Sequence, residues 1–520
     1  MKHNKIHVSY IAAASGFIIG AVFALNMILL RFNFASPAFH YKLFLILSLT
    51  GAATSLLFCS VVSRALSNRR DVLILSVVSA VVAAFLFTTL FFERDHNIIL
   101  LVSDATRASH LHCYGYQFNT TPNLDSLAED GIRFDKAIAQ GSHTVVATPS
   151  IIASIYPSQH GMTTYRDVLS DSVVTIAEVL RDNGYRTMGI STNPHLTKET
   201  GFDQGYMTYR SNKSWLNTDA KNVVDNFLGW LDGHAGSRFF AFLFLIDPHS
   251  PYEPPAPFLK QFGGDETFIV NDWHLDTLAL YEGQERKELI ARYDGELAYL
   301  DFHLGRLFSD LKERDLYDKT MIVYTSDHGE AFWEHVEVGH GHSLYEELIR
   351  VPLIVKLPFI SSVPALRTAD MTINDPVCQI DIMPTILDFF NIKKPKTSLG
   401  ISLLPLVFRE ESWANRMIFS EEILLQVGPY NIRSVRSGNW KFILDQNFPG
   451  GEMTRELFDL ENDPHERVNL VEKKNEIARN LERELIVFMG RMERKSLASG
   501  RSNIPTRSML ESLKALGYIQ

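Results

Sequence analysis

Three segments of this chain place metal-ligand side chains directly after apolar runs: 97-NIILLVSD-104, 238-RFFAFLFLIDPH-249 and 320-TMIVYTSDH-328. Carboxylates and imidazoles together suit a divalent cation, and such a cation activates an oxygen nucleophile for attack on an ester. Asp104, Asp327 and His328 are therefore candidate ligands, and Asp247 and His249 are placed to converge on the same site. A fourth segment, 141-GSHTVVATPSIIASIYPSQHG-161, has no cysteine and carries five hydroxyls before Tyr156, at Ser142, Thr144, Thr148, Ser150 and Ser154. Any nucleophile it supplies before Tyr156 is thus an oxygen.

The elements that must position these groups are strands. The runs 97–103, 186–192, 238–246, 320–326 and 351–357 are continuously apolar rather than alternating, the pattern of parallel strands buried on both faces. Helical stretches lie between them, notably 172–184 and 286–314. The alternation predicts an α/β sandwich of helix, sheet and helix layers. In open α/β sheets ligands bind at the carboxyl ends of strands, which is where Asp104, Asp247, His249, Asp327 and His328 fall. The expected organisation is an α/β domain over 97–425 and a small C-terminal subdomain over 426–520. Segments 359–370 and 445–455 read as surface loops, and 470–495 as an amphipathic helix.

Ahead of this body lie three uncharged apolar runs, Val8–Leu30, Leu43–Val62 and Val72–Phe92. Each has about 20 residues, the length that crosses the hydrocarbon core of a bilayer. They predict three transmembrane helices within a 1–96 anchor. Lys2, Lys5, Arg64, Arg69 and Arg70 outweigh Arg31, Lys42 and Arg94 on the opposite side, which puts the N-terminus inside. Three spans then carry everything after Phe92 outside the cytoplasm, a multi-pass cell-membrane protein with an extracytoplasmic body. The first 96 residues hold eight Lys/Arg against three Asp/Glu, while the whole chain has a formal net charge of −10. The body is therefore acidic, which argues against nucleic acid as a partner. The cysteines Cys59, Cys113 and Cys378 make neither zinc spacing nor a disulfide framework.

Taken in order, the segments resemble the sulfatase family of the alkaline phosphatase superfamily. The stretch 97-NIILLVSDATRASHLHCYGY-116 is similar to the family's first strand, metal aspartate and Asp-x-x-Arg loop, and 121-TPNLDSLAEDGIRF-134 to its most recognisable segment. The stretch 245-LIDPHSPYEPP-255 resembles its histidine loop, and 325-TSDHGEAFWEHVEVGHGHSLYEELIRVPLIVK-356 its second metal segment. Its C-terminal signatures resemble 456-ELFDLENDPHERVNL-470 and 512-SLKALGYI-519. Where the family carries Cys-x-Pro-x-Arg before Tyr-Pro, two registers compete. Anchoring on 148-TPS-150 leaves the segment too short before Tyr156-Pro157, whereas counting back from Tyr156-Pro157 puts Thr144 at the cysteine position. Thr144 is the expected nucleophile and Thr148 the competing choice. A threonine here is similar to the catalytic domains of lipoteichoic acid synthases and phosphoethanolamine transferases.

The resemblance implies the remaining roles. Asp104, Thr144, Asp327 and His328 form the expected ligand set for one divalent ion, with Mn²⁺ or Zn²⁺ favoured over Ca²⁺ or Mg²⁺ by its oxygen and nitrogen donors. His249, His340 and His342 are the expected catalytic histidines, and Arg107 and His335 the expected substrate-binding groups. Ala105, where calcium-type members have a second aspartate, and His328, where they have asparagine, shift the chain toward phosphodiester-transferring relatives. The expected function is a membrane-embedded metalloenzyme cleaving phosphate or sulfate esters, best read as transferring a phosphoryl-alcohol group from a lipid head group or lipid-linked glycan. The alternatives are a hydrolase with water as acceptor and a non-catalytic binding protein of the same fold.

Overall fold

The computed structural model describes residues 96–211, 219–358, 371–408, 411–423, 431–446 and 453–497. The expected membrane spans lie outside the described residues, as do the loop 359–370, the core of the loop 445–455 and the terminal 512–519 signature. Among the described residues, no helix is long and apolar enough to cross a membrane. The compact unit that carries the site comprises His96–Ile386, Lys394–Val407 and the chain from Ser412 onward; of the other unit, Leu387–Lys393, Phe408 and Glu411 are described.

A mixed eight-stranded sheet organises this unit. Its strands are β1 (Asn97–Ser103), β2 (Ile132–Phe134), β3 (Arg186–Ser191), β4 (Thr208–Ser211), β5 (Phe239–Leu245), β6 (Thr320–Ser326), β7 (Leu353–Lys356) and β8 (Met371–Ile373), in spatial order β8-β2-β7-β6-β1-β5-β3-β4. Strand β1 sits between β6 and β5, parallel to both, with Leu101 opposite Tyr324 on one side and Leu243 on the other. All seven of its residues are buried, which is why the run is apolar without alternation. Strand β7 departs from the all-parallel expectation. It pairs antiparallel with both β6 and β2. The chain leaves β6 at the ligand-bearing edge, forms the loop that follows Asp327, and re-enters from that same edge, so it must run backward.

The helix Gln284–Glu313 buries Leu289, Tyr293, Leu297, Leu300, Leu304, Leu307 and Leu311, a stripe at spacings of three and four. It also seats the helix Pro122–Glu129, because the Asp301 carboxylate accepts the backbone N–H groups of Asn123 and Leu124 at 3.0 and 2.8 Å. Helix Ile176–Asp182 is shorter than its apolar pattern and begins at a capping box between Thr175 and Glu178.

A second, four-stranded antiparallel sheet joins β9 (Ile418–Glu422), β10 (Ile432–Ser437), β11 (Trp440–Asp445) and β12 (Thr454–Asp459) in sequence order. Its first strand falls before the 425/426 boundary expected from sequence. Helix Asn475–Glu493 follows, burying Leu481, Leu485, Phe488 and Met492 and exposing charges of both signs, which makes it amphipathic.

Candidate active site and metal centre

Strands β1 and β6 are adjacent and parallel, so the residues after them, Asp104 and Asp327–His328, emerge side by side. The Asp327 N–H donates to Ser103 O at 3.2 Å, and the Ser326 hydroxyl donates to the same carbonyl at 2.8 Å. Ala105 turns the chain with a positive φ of 58°, held by its N–H on Asp327 Oδ1 at 3.3 Å and by the Tyr293 hydroxyl on its carbonyl at 2.8 Å.

Thr144 arrives from a different element. It is the first residue of helix Thr144–Ala153, every residue of which is buried. The cap is His143, whose Nδ1 accepts the Val145 N–H at 3.3 Å; Thr144 itself is therefore free of capping duty. The Thr144 Oγ1 lies 3.5 Å from both carboxylate oxygens of Asp104 and 3.3 Å from His328 Nε2. His328 Nε2 in turn lies 3.5 Å from Asp104 Oδ1 and 3.6 Å from Asp327 Oδ2. The side chains of Asp104, Asp327 and His328 are all inaccessible to solvent.

Two carboxylates buried together pay for their desolvation unless something positive joins them. Burial, and then the neighbouring Asp327 carboxylate, push Asp104 well above the usual carboxylate range; burial also raises Asp327. Asp327 Oδ2 is buried and accepts no hydrogen bond. His328 donates its Nδ1 proton to Gly329 O at 2.8 Å, which turns the Nε2 lone pair toward the carboxylates, and burial lowers its pKa to about 4. One ligand atom from each of Asp104, Asp327 and His328 lies within 4.8 Å of the others. Donors about 2.1 Å from a tetrahedral zinc, or adjacent donors about 2.4 Å from an octahedral calcium, stand roughly 3.4 Å apart. The separations around Thr144 Oγ1 match that value, so these residues fit a divalent cation, and the spacing serves either geometry.

His340 stands next to this cluster, its ring 4.3 Å from that of His328, and His249 lies 4.9 Å beyond it, ring to ring. The His249 Nδ1 donates to Ser250 O at 2.5 Å, leaving Nε2 as its reactive nitrogen. His340 Nδ1 is 3.0 Å from Glu330, a buried carboxylate that also accepts the Tyr252 hydroxyl at 2.9 Å. Burial holds both His249 and His340 down to about 3 and lifts Glu330.

The other expected residues each have a carboxylate partner. Arg107 is paired with Glu334 at 2.5 Å and sits over the Phe332 ring. His335 pairs with Glu347 at 2.6 Å and stacks on Tyr345 at 3.7 Å. His342 pairs with Glu337 at 2.8 Å. All three brace the loop that carries His340. Thr148, the competing hydroxyl, is buried one turn along the helix and makes no hydrogen bond.

Several neighbours escaped the sequence reading. The Asn193 amide donates to Asp104 Oδ2 at 2.8 Å and His143 Nε2 meets the Tyr165 hydroxyl at 3.0 Å, while Tyr165 stacks on His195 at 4.5 Å. Asn193 and His195 follow β3, so the strand-end rule that found Asp104 and Asp327 also reaches them. Glu330 lies in the loop directly after His328.

An α/β sheet with buried carboxylates, an imidazole and a hydroxyl converging at its strand ends is an arrangement able to hold a divalent cation beside an oxygen nucleophile. The family model for sulfatases matches residues 96–392, and that for the C-terminal region of N-sulphoglucosamine sulphohydrolase matches 340–490. The chain belongs to the sulfatase family. It is 26% identical over 415 residues to an ulvan-active sulfatase of Formosa agariphila, covering 72% of this chain and 77% of that one. It is 25% identical over 445 residues to an arylsulfatase of Clostridium perfringens, covering 72% and 90%. Its fold matches the phosphonate monoester hydrolase of Agrobacterium radiobacter with a TM-score of 0.63 at 19% identity, covering 76% of this chain and 96% of that one.

Proposed function

We propose that this protein hydrolyses sulfate or phosphate esters through Thr144. The observation that carries the reading is the Thr144 oxygen, within 3.5 Å of donor atoms of Asp104 and His328. A divalent cation held by Asp104, Asp327, His328 and Thr144 would lower the hydroxyl's pKa and polarise the ester. The Thr144 Oγ1 attacks sulfur or phosphorus, forming a covalent ester while the substrate's ester bond breaks. Asn193 keeps Asp104 oriented through its amide hydrogen bond. The proton that Thr144 releases is taken up by the His340–Glu330 pair or by His249, whose burial keeps both imidazoles neutral beside the cluster, and is passed to the leaving oxygen. Water then cleaves the threonine ester and regenerates the hydroxyl.

Threonine has no route to an aldehyde by the cysteine pathway, so direct ester formation is the chemistry open to it. The sulfatase and phosphonate monoester hydrolase relatives support water as the acceptor. The lipid-donor transfer expected from sequence is the second reading, favoured by the threonine itself. We also propose that the body is extracytoplasmic and anchored by three spans within 1–96, which reporter fusions at Arg31, Arg69 and Arg94 would map. Product analysis on a panel of sulfate, phosphate-diester and phosphonate esters, comparing wild type with Thr144→Ala, tests the main reading. Hydrolysis lost in the variant, and a wild-type adduct on Thr144 discharged by water, is the expected result. Discharge only by an added alcohol would turn the reading to transfer, and full activity in Thr144→Ala would end it.

A further inference from the structure

The segment that delivers Thr144 is held from behind by the second sheet. Strand β9 runs along 139–142: the Ser420 hydroxyl donates to Ala139 O at 2.6 Å and the Glu421 N–H to Gln140 O at 2.8 Å. Gly141 admits this contact, since a Cβ there would lie 2.6 Å from Val146 and 3.2 Å from Glu421 O. At the end of the strand, Glu422 Oε2 accepts both the Ser142 N–H at 2.9 Å and the Ser142 hydroxyl at 3.0 Å. Both residues are fully buried. Glu421, next to it, instead accepts the N–H and hydroxyl of Ser158 at 3.0 and 2.8 Å and pairs with Arg433.

A buried glutamate is costly, and one accepting two hydrogen bonds from a single serine is a strong, directional tether. Ser142 precedes the capping residue His143, so the tether acts where the chain enters the helix and sets the position of its first turn. Thr144 has no hydrogen bond shorter than 3.3 Å to its cluster partners, so those contacts do not hold it alone.

We infer that Glu422 is a positioning residue for the nucleophile, holding Thr144 against the Asp104–Asp327–His328 cluster through Ser142. The inference rests on the reading of Thr144 as nucleophile. It makes the C-terminal sheet a working part of the active site.

The test compares Glu422→Ala, Glu422→Gln, Ser142→Ala and Glu421→Ala in the full chain, on an ester that wild type cleaves. Displacing a reacting atom by about 1 Å costs roughly 100-fold in rate, so Glu422→Ala is expected to lose about that in kcat per folded molecule with KM little changed. Single-turnover formation of the Thr144 adduct slows in parallel, while metal binding is retained. Ser142→Ala, which keeps the backbone bond, falls between the two, and Glu422→Gln, which keeps an acceptor, recovers most of the rate. Glu421→Ala loses stability but holds kcat, separating positioning from general packing. A kcat for Glu422→Ala within threefold of wild type, an equal loss in Glu421→Ala, or a Glu422→Gln no better than the alanine variant overturns the inference. If Glu422→Ala does not fold, the Ser142→Ala and Glu422→Gln rates decide. Thr144→Ala measured alongside isolates the premise: activity there sinks the nucleophile reading, whereas an inactive Thr144→Ala beside a fully active Glu422→Ala sinks only this one.

Discussion

Removing Asp327 should stabilise the metal-free protein and shrink the stability that a bound cation adds. Without a cation, Asp104 and Asp327 are fully buried together and both are driven above the usual carboxylate range. Asn at 327 removes one of the two like charges at nearly constant volume, so the metal-free variant melts higher than metal-free wild type. With a cation at 100 times its dissociation constant, binding adds about 2.7 kcal/mol to wild type. Unfolding a body of about 400 residues at ~2.1 cal/mol/K each gives ~0.8 kcal/mol/K, so the melting point rises by about 3 °C. An affinity about 100-fold weaker in Asp327→Asn leaves ~0.4 kcal/mol at the same metal concentration, a rise of roughly 0.5 °C. Differential scanning fluorimetry after chelation, with Mn²⁺, Zn²⁺, Ca²⁺ or Mg²⁺ restored separately, reads both signs. An identical metal-induced rise in wild type and Asp327→Asn, or no rise with any of the four ions, would refute the assignment of this cluster as the cation site.

Other expectations follow from single contacts. Thr144→Ser keeps the oxygen and loses one buried methyl, costing about 1 kcal/mol of stability with activity retained within about tenfold, while Thr148→Ala stays near wild type; mass mapping of a trapped adduct to residue 148 would reverse this. His335 is raised to about 9, because its hydrogen bond and charge pairing with Glu347 outweigh the lowering effect of burial. A folded pKa above the unfolded 6.5 contributes stability that is complete below pH 6.5 and lost as pH rises through 9. The melting-point difference between wild type and His335→Gln should therefore shrink over that window, and a constant difference would count against the pairing. Lys441 is buried between Glu346 at 3.1 Å and Glu466 at 2.8 Å, so Lys441→Met strands Glu466 and leaves Glu346 with Arg436 at 3.2 Å. The cost is about 3–5 kcal/mol, or roughly 4–6 °C on the same entropy scale, and a melting point within 1 °C of wild type would contradict it.

Much of the candidate site is visible in the sequence because burial and chemistry leave separate marks. Asp104 and Asp327–His328 end uninterrupted apolar runs, so their polarity is conspicuous at the one sheet edge where ligands gather. Thr144 is harder to see: five hydroxyls share its segment, and only the interval to Tyr156-Pro157 selects it. The expected roles of Arg107, His335 and His342 were drawn from residue type and order. The structure adds a partner for each that residue type and order do not reveal: Glu334 for Arg107, Glu347 of the helix Glu346–Ile349 for His335, and Glu337 for His342.

By itself the sequence determined the composition of the fold: apolar runs long enough for buried strands, amphipathic helices between them, and ligand residues at the strand ends. Local periodicity records burial, and burial is the same whichever way a strand runs, so only the tertiary structure decided that β7 lies antiparallel. It also decided which hydroxyl meets the carboxylates and which distant group steadies it. Ser142 and Glu422 are 280 residues apart, and Asn193 is 89 from the Asp104 it orients. Contacts across such separations depend on how the sheets stack and the loops return, and no pattern within a helix or strand encodes them.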